Sequence, residues 1–374
     1  MKLTTCLPWV LGALWCVGTG AMAQSIDSDT KHASDADAFL QRELILKHIP
    51  GMSVSVARHN RVLLAKGYGR ANLELSVPAS EHTAYELASL TKPFTALAIM
   101  LLVEQGRLSL TDPVKKFLPA APSTWDQITV SQLLSHTSGL GDYFSVAELR
   151  SGSVFEWTRE YSPETLLPLL FKVPIVAAPG EKWSYSNTGY YVLGLILEKV
   201  SGQPYEQFLQ QKIFAPLGMT ETRRMSREDI IPERASGYVW FGGTLKNAIH
   251  TSKSWAYSEG GLVSSVSDLA KAARGLFGDK ILTKAMIQSM WQPYRLNDGR
   301  LIPHGLGWNI EGESKEREVS HSGNKPGFSS SIRYFEDESL TVVVLLNVDT
   351  EDPRQGDAGA ISYRVASAFL QQSH

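Results

Sequence analysis

Strand-like segments stand at both ends of this chain and helix-like segments fill its middle, and that arrangement restricts the folds open to it. Near the start, residues 52–58 alternate apolar with small or polar side chains, His59-Asn60 forms a turn, and residues 62–68 resume the extended pattern. Near the end, residues 329–335, the turn Glu336-Asp337-Glu338-Ser339 and the Val-rich residues 340–347 read as a second strand pair, and residues 361–371 follow with the spacing of an amphipathic helix. Between them, residues 94–104, 131–134, 190–200 and 205–214 are helix-like and are separated by Gly and Pro. Strands at both termini with helices between them predict one antiparallel sheet, flanked by helices, into which an all-helical domain is inserted. We expect the sheet part at about 38–112 and 255–374 and the helical part at about 113–254. The cleft where the two meet is the natural place for chemistry.

The extreme N-terminus reads differently. Lys2 precedes an apolar run at residues 7–17, and small residues follow, ending in Ala21-Met22-Ala23. That pattern predicts a secretory signal at 1–23, cleaved after Ala23, and the run is too short to span a membrane. Residues 24–37 are polar and are expected to form a mobile leader. The expectation is therefore an exported protein, periplasmic or secreted, without a stable membrane span. Cys6 and Cys16 both fall inside the signal, leaving the mature chain without a disulfide or a cysteine-held metal. Removing Lys2 takes the formal charge from -2 to -3, and no basic run remains to follow a nucleic acid backbone.

Three Ser-x-x-Lys tetrads occur, at Ser28 to Lys31, Ser89 to Lys92 and Ser322 to Lys325, and context chooses among them. Only Ser89 opens a run, residues 93–103, that is apolar on nearly all sides. On such a helix Lys92 shares a face with Ser89, and the helix N-terminus offers free amide donors to a developing negative charge. An ordinary lysine is neutral in only about 1 in 2,500 molecules at pH 7, so a lysine base needs its pKa brought down by roughly 3. Burial can supply that.

A second element is Tyr185-Ser186-Asn187, at a loop-to-helix edge. Tyr185 beside an ammonium can relay a proton, and Asn187 offers a donor and an acceptor to an amide-like substrate. His321-Ser322-Gly323 is the third, at the end of an extended segment. There Gly323 lets a substrate backbone approach, His321 can orient or protonate a substrate group, and the Asn324 amide can join that of Ser89 as an oxyanion donor. Each motif alone also fits an ordinary turn or cap.

In order and context, Ser89-Leu90-Thr91-Lys92, Tyr185-Ser186-Asn187 and His321-Ser322-Gly323 resemble the serine β-lactamase and penicillin-recognising superfamily. The likeness is to its class C β-lactamase, D-alanyl-D-alanine carboxypeptidase and related esterase branch. Phrases such as Leu133-Leu134-Ser135-His136-Thr137-Ser138-Gly139-Leu140, Ser258-Glu259-Gly260-Gly261-Leu262 and Gly305-Leu306-Gly307-Trp308 carry the likeness across about residues 40–370. The resemblance implies an α+β fold of the β-lactamase/transpeptidase type. It further implies acylation of Ser89, proton transfer by Lys92 and Tyr185, substrate contacts from Asn187, His321, Ser322 and Gly323, and an oxyanion hole from the Ser89 and Asn324 amides. Lys92 and Tyr185 remain alternatives for the base itself.

One departure bears on substrate. Many β-lactamases and D-Ala peptidases carry Lys where this chain has His321, and a neutral histidine is a weaker partner for a carboxylate. Ester or peptide hydrolysis is accordingly favoured over efficient β-lactam turnover. The alternative is a non-catalytic protein of the same fold that binds penicillin or peptidoglycan fragments. No cofactor is expected, since there is no H-E-x-x-H or comparable metal cluster, and an α/β-hydrolase is disfavoured without a G-x-S-x-G elbow. The aromatic residues Tyr238, Trp240, Phe241, Trp255 and Tyr257 are candidates for a rim over the cleft, while His136 reads as part of a turn.

Overall fold

The computed structural model describes residues 17–59, 61–146, 158–278, 280–312, 317–350 and 356–370. Most of the apolar run at 7–17, both cysteines and Asn60 lie outside them. Seven strands form the central sheet: β1 (Gly51–Arg58), β2 (Arg61–Asn72), β3 (Val77–Pro78), β4 (Asn309–Glu311), β5 (Glu318–Lys325), β6 (Phe328–Phe335) and β7 (Leu340–Leu346). Their order is β4-β5-β6-β7-β1-β2-β3, and every neighbouring pair is antiparallel. The first long strand therefore lies against the last, with Val54 opposite Val344.

Alternation along β1 and β7 assigns each face of the sheet its cover. Met52, Val54 and Val56 join Leu340, Val342, Val344 and Leu346 on one face, buried under α1 (Val17–Leu46) and the C-terminal helix Ala358–Leu370. On the other face, Val343, Leu345 and Ile332 belong to the larger core, which also takes in α2 (Lys92–Glu104), α3 (Asn187–Ser201) and α4 (Val266–Leu276). Helix α2 is the hub of that core. Eleven of its residues are buried, so it is apolar all round and has no solvent face.

Residues 24–37, expected as a mobile leader, instead lie within α1. Their polar composition conceals a stripe at helical spacing, in which Asp29, His32, Ala36 and Leu40 are all buried. Asp29 pairs with Arg58 and Arg61, and Asp37 accepts from Lys66 and Tyr68, each at 2.7 Å, so charge fixes the helix to the edge of β1 and β2. The middle of the chain is mainly helical, and it also holds a hairpin of Tyr238–Phe241 with Thr244–Asn247. The first hairpin strand runs parallel to Val348–Thr350, which ties the middle of the chain to its C-terminal part.

Because α2 is enclosed on all sides, a void beneath it cannot relax into solvent. Leu97→Ala should cost about 2–5 kcal/mol, read as a lowered urea midpoint with little change in slope.

Candidate active site

Ser89 sits on a single 3-10 turn, Ala88–Thr91, that runs directly into α2. Ala88 takes the left-handed conformation, φ 49°, which bends the chain sharply after the short strand Tyr85–Glu86. The bend leaves Ser89 partly exposed while its neighbours Ala88 and Leu90 are buried. Strand β5 passes against this turn. A Cβ on Gly323 would lie 2.4 Å from the Leu87 carbonyl oxygen and 2.7 Å from the amide nitrogens of Ser89 and Leu90. Gly323, expected to admit a substrate backbone, thus admits the turn that carries Ser89. Ser330 on β6 strengthens the junction by donating to the Leu87 carbonyl at 2.6 Å.

Around Ser89 the structure gathers groups far apart in sequence. Lys92 Nζ lies 3.1 Å from Ser89 Oγ, and the Tyr185 hydroxyl donates to the same oxygen at 2.8 Å. Lys92 is fully buried, and its ammonium faces the rings of Tyr185 at 5.0 Å and Tyr190 at 5.6 Å. It also donates to Asn187 Oδ1 at 2.8 Å, to the Glu259 carbonyl at 2.8 Å and to Glu259 Oε2 at 3.0 Å. The other Glu259 oxygen accepts from the Tyr143 hydroxyl at 2.9 Å. Asn187 does not present a free amide to the cleft, because its Nδ2 donates to Asp142 at 2.8 Å while its oxygen faces Lys92.

These contacts reverse the expected protonation of Lys92. Burial alone would push its pKa down, but interactions with Tyr185 and Glu259 outweigh burial and leave it above the ordinary lysine value. Sequence reasoning counted burial and missed the countercharge, because Glu259 lies 167 residues away in the chain. It figured only within the phrase Ser258-Glu259-Gly260-Gly261-Leu262.

Behind Tyr185 lie buried histidines. His136, assigned no chemistry from sequence, packs its ring 4.4 Å from that of Tyr185 and accepts the Ser186 amide on Nδ1 at 3.1 Å. His304 packs 5.1 Å from His136. His321 is buried too, and its Nδ1 donates to the Ser322 carbonyl at 2.7 Å. Burial holds His304 at about 4, and burial with the nearby Lys92 charge holds His321 at about 3. Both rings are neutral at physiological pH, so His321 carries no positive charge to a substrate. Lys325, just beyond Asn324, does line the cleft, but it is bound to Glu86 and Thr251 at 2.5 and 2.8 Å. Burial would raise Glu86, yet Lys325, His250 and Arg234 bring it down to about 2.

The cleft in front of Ser89 encloses about 620 Å³. Its walls are largely apolar: Tyr143, Phe144, Val239, Phe241, Ile249 and Trp255 line it, with Ser89, Asn187 and Asn324 at its polar end. Of the aromatic residues expected at a rim, Phe241 and Trp255 line the cleft. Tyr257 instead packs on Tyr191 and Tyr205, Tyr238 is buried with its hydroxyl near Glu74, and Trp240 packs against the core under the sheet.

Residues 36–365 match the family model described as Beta-lactamase. The chain belongs to the beta-lactamase family. Penicillin-binding protein 4* of Bacillus subtilis (strain 168) is similar to this beta-lactamase-family chain, with 36% identity over 324 residues, covering 82% of this chain and 70% of that protein. Protein flp of Staphylococcus aureus (strain MW2) is 29% identical over 324 residues, covering 84% of this chain and 63% of its own length. The chain thus spans about two thirds of these curated relatives. Among solved structures, the octameric penicillin-binding protein homologue from Pyrococcus abyssi superposes with a TM-score of 0.77 at 31% identity, covering 90% of this chain and 77% of that one. D-amino acid amidase from Ochrobactrum anthropi SV3 shares the fold, with a TM-score of 0.75 at 22% identity, covering 93% of this chain and 99% of that one. The family member is accordingly a hydrolase of the beta-lactamase type, built on the β-lactamase/transpeptidase-like fold.

Two outcomes follow from this geometry. Gly323→Ala should displace the Ser89 turn and lower kcat/KM by about 100-fold, because a shift of about 1 Å moves Ser89 Oγ away from Lys92 and Tyr185. His304 contributes a pH dependence of stability, since its folded pKa of about 4 lies below its usual 6.5. Stability is therefore complete above about 6.5 and is lost as pH falls towards 4, where the unfolded chain takes up the proton first. Urea midpoints at pH 7 and pH 4.5 should differ less in His304→Gln than in the parent.

Proposed function

We propose that this protein is an exported serine hydrolase that acts through an acyl-enzyme on Ser89, cleaving ester or amide bonds of acyl donors with a sizeable apolar group. The observation that carries the reading is the convergence of Lys92 Nζ and the Tyr185 hydroxyl on Ser89 Oγ at the polar end of an apolar cleft. In this mechanism Ser89 attacks the carbonyl carbon, and Lys92 and Tyr185 together manage the proton. The amides of Ser89 and Asn324 receive the oxyanion, and water then hydrolyses the acyl-enzyme. Ser322 and Asn324, exposed on β5, edge the substrate path.

Esters and peptides are favoured over β-lactams for a reason of charge. His321 is buried and neutral, and Lys325 is neutralised by Glu86, so the third motif offers a substrate carboxylate little attraction. The apolar lining instead supports recognition through a hydrophobic acyl group. Export is supported by the apolar run at 7–17 and the Ala21-Met22-Ala23 ending. Among the described residues no helix is long and apolar enough to cross a membrane.

Intact-mass labelling with an activated phosphonate, followed by p-nitrophenyl esters of increasing chain length, a chromogenic cephalosporin and a D-Ala-D-Ala peptide, tests the proposal. A single adduct should form and vanish in Ser89→Ala, with turnover falling at least about 1,000-fold. Longer acyl esters should be cleaved fastest. Turnover that survives Ser89→Ala would sink the acyl-enzyme reading, and an adduct without turnover on any substrate would favour a binding protein of the same fold.

A further inference from the structure

We propose that Glu259 is a positioning residue that keeps Lys92 an ammonium, so that the Ser89 proton passes to Tyr185 and not to Lys92. The inference rests on the acyl-enzyme reading above and assigns one step within it.

The argument begins with a count of hydrogens. Three oxygens that can only accept lie within 3.0 Å of Lys92 Nζ: Asn187 Oδ1, the Glu259 carbonyl and Glu259 Oε2. The Asn187 amide cannot be turned round, because its Nδ2 faces the Asp142 carboxylate at 2.8 Å. Satisfying all three oxygens takes three N–H bonds, which is what an ammonium has and a neutral amine lacks. A neutral Lys92 would point its lone pair at one of these acceptors inside a fully buried site, a costly arrangement. Glu259 supplies two of the three oxygens and the one negative charge among them. It is itself buried and held from the far side by Tyr143. The turn that carries it is fixed in turn by Gly194 on α3, where a Cβ would meet Ser258 Oγ at 2.2 Å.

With Lys92 saturated, the remaining base within reach of Ser89 Oγ is the Tyr185 oxygen, 2.8 Å away. In the reacting form Tyr185 is a phenolate beside the ammonium. As Ser89 Oγ bonds to the substrate carbonyl carbon, its proton moves to the Tyr185 oxygen and the carbonyl electron pair moves onto the carbonyl oxygen. On collapse the carbonyl re-forms, the bond to the leaving group breaks, and Tyr185 returns the proton to that group. Lys92 keeps its hydrogens throughout.

The test is the pH profile of kcat/KM for ester hydrolysis in wild type, Glu259→Gln and Tyr143→Phe. Other titratable or charged groups face the Lys92–Glu259 pair: Tyr143, Tyr185, Tyr190, Tyr191, Tyr205, Asp142, His136 and His321. All of them are kept in the Glu259→Gln variant, so the change isolates one charge. Gln retains the length and an acceptor oxygen but leaves the cationic Lys92–Tyr185 pair without its nearby anion. The acid limb should then move to lower pH by about one unit or more, and the plateau should fall because a less basic phenolate accepts the proton less readily. Tyr143→Phe removes a contact to Glu259 but no charge, so its limb should stay within roughly 0.3 of wild type. Should Glu259→Gln not fold, Glu259→Asp, which lengthens the pair, should move the limb the same way by less. An acid limb unmoved in the Glu259 variant would overturn the proposal, as would complete loss of the limb, which would make Glu259 itself the base. The underlying reading fails separately, through phosphonate labelling or turnover that persists in Ser89→Ala.

Discussion

Everything near Ser89 is arranged around one buried ammonium. Lys92 is fully enclosed, and a charge so placed survives only when each of its hydrogens finds an acceptor and an opposite charge stands beside it. Here the acceptors come from the start of α3 and from the turn Tyr257–Gly260, and Glu259 brings the charge. These elements are fixed relative to α2 through the same contacts. The Asp142 carboxylate holds the Asn187 amide, and Tyr143 holds Glu259, so a second layer of hydrogen bonds orients the first. Tyr185 is confined between Lys92 and the ring of His136. The position of Ser89 Oγ is thus a consequence of satisfying Lys92.

The contrast between two of the cations near the cleft, Lys92 and Lys325, is instructive. Lys92 and Lys325 are each paired with a buried carboxylate, Glu259 and Glu86. Glu86 also meets Arg234, so that cluster holds more positive than negative charge and its carboxyl is held down at about 2. One pair faces Ser89 Oγ. The other stiffens the junction between β5 and the turn that bears Ser89, and it neutralises a cation that lines the cleft.

Much of the fold was legible because its signals are local. The alternation in β1 and β7 and the apolar runs of α2 and α3 depend on neighbours a few residues apart. Helix α1 was misread because its buried stripe is made partly of Asp29 and His32, polar residues whose partners, Arg58 and Phe369, are distant in sequence. At the site, residue types and their order pointed to Ser89, Lys92 and Tyr185, which the structure brings within hydrogen-bonding reach of one another. The charge state of Lys92 was not legible, because burial is visible in the apolar run around it while the compensating carboxylate is not. Gly323 shows the same limit. Its lack of a side chain was evident, but whether substrate or backbone would use the space depended on where the Ser89 turn lies.

The pairing of β1 with β7 orders events in time. Val54 and Val344 are 290 residues apart, the difference of their numbers, so the strand that begins the sheet is made well before its partner. Without β7, β1 and β2 form a hairpin with one open edge, and without β5 the Ser89 turn lacks the Gly323 strand that braces it. Contacts this distant make closure slow. A chain of this design completes both the sheet and the brace of the Ser89 turn through contacts between segments that are far apart in sequence.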